Sequence, residues 1–80
     1  MVNTHEIQLG VMEFETLRDN NYIIIEVNDI EVNDYILFKQ VEKSDLQATE
    51  TGLFMMTQVT KIIKNDGLKV GYGLLIVNKL

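Results

Sequence analysis

The sequence predicts an α+β domain that is mostly β: a small barrel of five to six strands, with one helix between the first two strands. Three observations carry this. The stretch from Tyr22 to Glu42 holds two apolar, β-prone runs, Tyr22–Val27 and Tyr35–Val41, on either side of a short acidic connector. β-Branched and aromatic residues at that density favour pleated structure. The period of the apolar residues changes from two to that of a helix between Thr4–Leu9 and Val11–Asp19, and then changes back. The last run, Leu74–Val77, is apolar on both faces. One helix cannot cover a sheet of that kind, whereas closing it would bury both the apolar residues and the edges.

Taken in order, Thr4–Leu9 alternates, with His5, Ile7 and Leu9 on one face and Thr4, Glu6 and Gln8 on the other, the pattern of a half-buried strand that Gly10 ends. In Val11–Asp19, residues Val11, Phe14, Leu17 and Arg18 share a helical stripe, with Phe14 as its anchor. Asn20-Asn21 is the expected stop, because asparagine tolerates the left-handed cap. Tyr22–Val27 and Tyr35–Val41 are expected as central strands, and Asn28–Asp34 between them as a solvated turn. Glu42–Gly52 is polar and reads as the longest loop. Leu53–Ile63 resumes strand character, with a bulge expected at Met55-Met56. Asn65-Asp66-Gly67 signals a turn. Gly71-Tyr72-Gly73 leads into the last strand, expected to be central.

Eighty residues make one domain, 1–80. The chain has no cysteine, which excludes disulfides and thiolate metal sites, and no proline. Twelve acids against seven bases give a formal net charge of −5, which opposes non-specific attraction to nucleic acid or an anionic membrane. Residues 1–10 are polar and alternating, so no signal peptide is expected, and no apolar run approaches the roughly 20 residues that span a bilayer. A cytoplasmic protein is the expectation.

Five stretches, Thr4–Leu9 (THEIQL), Phe14, Asn28–Asp34 (NDIEVND), Thr51-Gly52 and Gly67–Val77 (GLKVGYGLLIV), resemble a short bacterial and phage branch of the ASCH domains, within the PUA-like superfamily. The resemblance implies a PUA-like barrel and RNA or nucleotide binding. It also departs from the family at the usual ligand motif. That family carries a glycine and lysine after the helix and a glutamate and arginine in the next strand; here Asn20-Asn21-Tyr22 and Ile23–Glu26 stand there. Asn33 replaces the glycine of a Gly-Asp pair, while Asp34 remains. Some relatives hydrolyse acetylated cytidine with a lysine, a threonine and a glutamate; without that lysine the activity is not carried over.

The residues that could bind a ligand on this reading are His5, Asn21, Tyr22, Glu26, Lys69 and Tyr72. Each has an ordinary alternative. A single histidine on an apolar strand face is usually structural, and one histidine without cysteine argues against zinc. Glu26, Asp29, Glu31 and Asp34 faintly echo a calcium loop, but Asp34 stands where the loop needs glycine and Gln40 where it needs glutamate. Ser44 is the one serine and sits in a polar stretch, so no serine–histidine–acid set is argued. Lysines and tyrosines can form a single-strand groove, or be solvated lysines and rim tyrosines.

The expectation is a non-catalytic module that binds single-stranded RNA or a nucleotide weakly, with no cofactor, no metal and no membrane. The alternative is an accessory domain, phage-derived, that has lost the ancestral groove and contacts a protein partner or a second copy of itself. A basic groove where the helix meets the second strand would favour the first; an acidic groove beside an exposed apolar patch would favour the second.

Overall fold

The alternation of Thr4–Leu9 becomes strand β1 (Thr4–Gly10), and the change of period at Val11 becomes helix α1 (Val11–Asn20). The structure is a computed structural model that describes residues 2–64 and 67–80. Phe14 and Leu17, one turn apart, are the buried residues of α1, while Arg18 is exposed rather than part of the apolar stripe. Asn21 ends the helix with φ 62°, and its N–H donates to the Leu17 carbonyl over 2.9 Å. That satisfies a carbonyl that the helix end would otherwise orphan.

Among the described residues four strands follow: β2 (Tyr22–Glu26), β3 (Tyr35–Ser44), β4 (Gln47–Ile63) and β5 (Tyr72–Lys79). They form one five-stranded mixed sheet in the order β1-β3-β4-β5-β2. β1 runs parallel to β3, with His5 opposite Ile36; every other pairing is antiparallel. β1 and β2 are the two edges, so strand pairing does not close the expected barrel. Helix α1 instead packs against β1, β2 and β3 and covers the core between the edges. The core consists of Leu9, Phe14, Leu17, Ile23, Ile25, Val27, Ile30, Ile36, Phe38, Val59, Leu75 and Val77.

Three expectations are corrected here. β2 is an edge rather than a central strand; its burial alternates, with Ile23 and Ile25 facing the core and Ile24 half exposed on the face that α1 leaves uncovered. Three consecutive isoleucines look the same whether one face or both are buried. Glu42–Gly52 is not a loop but the arms of a hairpin, in which Lys43 pairs with Ala48 and Ser44 with Gln47. Asp45 takes φ 52° at its tip, a conformation aspartate tolerates better than most residues. Polar strands of this kind have no buried face to mark them.

The bulge is displaced from Met55-Met56, which alternate regularly opposite Phe38 and Leu37. Between Lys39–Phe54 and Val41–Glu50 the register shifts, so Thr51, Gly52 and Leu53 face Gln40 alone. Gly52 has φ 94°, where other residues are strained. The Thr51 hydroxyl donates to Oε1 of the buried Gln40 over 2.7 Å, which satisfies the polar group the bulge turns inward. A second shift leaves Thr60 as the extra residue opposite β5. The central placing of β5 is as expected. Of the Asn65-Asp66-Gly67 turn, the first two residues lie outside the described residues. Among the described residues, no helix is long and apolar enough to cross a membrane.

Candidate functional site

Two places gather the residues singled out from the sequence. The first is a groove between the sheet edges, of about 340 Å³, lined by His5, Glu6 and Ile7 of β1 and by Glu26, Asn28, Asp29 and Ile30. Its polar centre is set by the Asn28–Asp34 connector, which is not a uniformly solvated turn. Ile30 is buried, and Asp34 is only 1% exposed. Asn33 takes φ 79°, a conformation that glycine adopts freely and asparagine next. This turns Asp34 inward, where its carboxylate accepts the N–H of Asn3 (3.1 Å) and of Glu31 (3.0 Å), and lies 2.8 Å from Nε2 of His5. These bonds, with His5 the strongest, hold the Asp34 carboxyl down from its ordinary 3.8 to about 2. An ionised carboxylate only accepts, so Nε2 of His5 carries the shared proton.

Asp34 is the functional-looking residue that sequence reasoning left in solvent. The available signal was local: an Asx residue three positions after a free backbone N–H, following an asparagine able to turn left-handed. The groove itself is acidic, since Glu26 and Asp29 line it, His5 is bound to Asp34, and Glu6 is paired with Lys39. Among the described residues, no three His, Cys, Asp or Glu converge to hold a metal.

The second place is the face of the sheet opposite α1. Alternation puts Tyr22, Ile24 and Glu26 of β2, Tyr72, Leu74 and Ile76 of β5, and Lys61 and Ile63 of β4 on it. Register then aligns Lys61, Ile76 and Tyr22 in one row, Ile63, Leu74 and Ile24 in the next, and Tyr72 with Glu26 in the third. The Lys69 ammonium stands 5.6 Å from the centre of the Tyr72 ring, a cation–π distance. The turn is closed by the Tyr72 N–H donating to the Lys69 carbonyl over 2.9 Å. Among the described residues, neither Lys61 nor Lys69 has a carboxylate partner, whereas Lys39, farther along the same face, is held between Glu6 (2.5 Å) and Glu50 (3.2 Å). Those two carboxylates raise the Lys39 pKa.

Four of the six sequence candidates, Tyr22, Glu26, Lys69 and Tyr72, thus share this face or its rim, and Glu26 also borders the groove with His5. The carboxylate of Glu26 accepts a hydrogen bond from the Asn28 amide over 2.9 Å. Asn21 stands apart: its backbone N–H caps α1 and its carbonyl accepts from Val77, so its place in the fold is structural. Where the helix meets β2, the Lys79 ammonium donates to the Arg18 carbonyl and Arg18 pairs with Asp19 at 3.3 Å. That junction is a mixed surface rather than a basic groove. A scan against family models and a search of curated proteins found no match to this chain.

Proposed function

We propose that the protein is a small non-catalytic module that binds single-stranded RNA or a nucleotide through the β4–β5–β2 half of its uncovered face. The supporting observation is the convergence of Tyr22, Tyr72, Lys61 and Lys69 on that half. Flat aromatic faces take bases by stacking, and unpaired ammonium groups take phosphates. When a base stacks on Tyr72, Lys69 swings from the ring to the backbone. The strand–helix–four-strand order is compatible with the PUA-like, ASCH-like reading, in which the sheet would be an opened barrel, and a cytoplasmic location is part of the same proposal. The acidic groove repels phosphate, and Glu26, which stands opposite Tyr72 on the open face, weakens the contact there as well.

With a net charge of −5, affinity depends on this local patch, and a Kd on the order of tens of micromolar or weaker at physiological salt follows. Fluorescence anisotropy with labelled single-stranded RNA, duplex RNA and a mononucleotide, at low and physiological salt, tests it. The single strand binds best, salt weakens it, and Lys69→Ala, Lys61→Ala and Tyr72→Ala each reduce it. Absence of binding at low salt contradicts the proposal.

A second reading, a protein-interaction domain, has its own support. Phe54 is 69% exposed on the uncovered face, beside the exposed Leu53 and Met56, and with Leu53 it borders a shallow cavity that Lys39 and Glu50 also line. Saturable binding of a protein, with none of RNA, favours it.

A further inference from the structure

The two edges of the sheet carry different chemistry. On the uncovered face, β1 presents Thr4, Glu6 and Gln8, polar residues of the kind that discourage strand addition. The edge strand β2 presents Tyr22 and Ile24, 43% and 50% exposed, with no lysine or proline, and ends in Glu26. Its backbone is equally available. The Asn21 carbonyl and the Val27 N–H are both bonded to the β5 side, to Val77 and Gly71. By alternation, Ile23 and Ile25 also bond inward, and Tyr22, Ile24 and Glu26 turn their N–H and C=O groups outward. The residues with exposed side chains are therefore the ones whose backbone has no strand partner among the described residues.

This short strand is self-complementary. In an antiparallel pairing with a second copy about a two-fold axis at Ile24, Ile24 meets Ile24, and Tyr22 meets Glu26 of the second copy at both ends. A phenol hydroxyl can donate to a carboxylate there, while the two isoleucines close an apolar centre. No like charges are opposed. We propose that β2 joins a second copy of this chain edge to edge in that register, extending the sheet across the two-fold. A two-fold contact of this kind is isologous and closes at a dimer. The proposal does not rest on RNA binding, although Tyr22 and Ile24 belong to both surfaces.

The absence of cysteine from the chain makes a clean test. Opposed Cα atoms in a hydrogen-bonded antiparallel pair lie about 5.5 Å apart, within reach of a disulfide. Under mild oxidation, Ile24→Cys forms a covalent dimer much faster than Phe54→Cys, which is more exposed but away from the axis. By sedimentation equilibrium, the unmodified chain has the mass of a dimer, and Ile24→Lys, which sets two ammonium groups face to face, halves it. If Ile24→Lys fails to fold by circular dichroism, the cysteine pair decides. A monomeric unmodified chain, a folded Ile24→Lys variant that remains a dimer, or cross-linking through Phe54→Cys as fast as through Ile24→Cys overturns the proposal.

Discussion

Nε2 of His5 lies 2.8 Å from Oδ2 of Asp34, joining the edge strand β1 to the connector that precedes β3. With the Asn3 and Glu31 N–H groups on the same carboxylate, this contact fixes how the chain enters β3. It has a pH signature. The folded pKa of Asp34 is about 2 against an ordinary 3.8, so between those values the unfolded chain binds more protons. The contribution is fully present above 3.8 and is lost as pH falls through about 2. Thermal melts from pH 5 to pH 2 should show stability falling across this window. Asp34→Asn should lower the melting temperature at neutral pH and flatten the acid limb. Melting that is unaffected by this substitution would contradict the network.

Phe14 is 3% exposed and sits where α1 meets the sheet. Phe14→Ala should cost about 3–5 kcal/mol by leaving a cavity. Domains of this size have only about 5–15 kcal/mol in all, so denaturant melts should show a midpoint shifted far down, or a chain that does not fold.

Gly73 faces Ile25 on the core side, where a Cβ would stand 2.9 Å from Val27 Cγ2 and 3.3 Å from the Ile63 carbonyl. The neighbour that cannot give is backbone. Gly73→Ala should therefore destabilise by about 1–3 kcal/mol, as overpacking does, measured by urea unfolding. A neutral or stabilising result would mean that Val27 and Ile63 pack less closely over Gly73 than described.

Asp29 contrasts with Asp34. It is exposed beside Glu26 in the acidic groove, so Asp29→Asn should be neutral or mildly stabilising by relieving repulsion. Millimolar calcium should leave the melting temperature unchanged, since a ligand of the native state alone would raise it.

Much of the fold was legible because period and burial coincide. Phe14 and Leu17 announced the helix, Asn21 its end, and Leu74–Val77 a central strand. What misled was chemistry that depends on neighbours. Ile24 carries the same side chain as Ile23 and Ile25, and only the position of α1 decides which of them stays in solvent. Asp34 is an acid among acids, and only the left-handed turn at Asn33 sends it inward to His5. The Lys43–Ser44 and Gln47–Ala48 arms are exposed on both faces, so no periodicity marks them as strands. Of the candidate residues, Lys69 and Tyr72 are close in sequence, but that Tyr72 shares a face with Tyr22 and Lys61 follows from the strand order β4-β5-β2 and from the shift at Thr60.

On the proposed function, the uncovered face and not the groove receives the ligand. Amide chemical-shift mapping during titration with short single-stranded RNA tests it most directly. Salt-sensitive shifts should concentrate at Tyr22, Ile24, Lys61, Lys69 and Tyr72, with His5 and Asn28 to Ile30 little changed. Shifts confined to the groove residues, or no shift even at low salt, would contradict it.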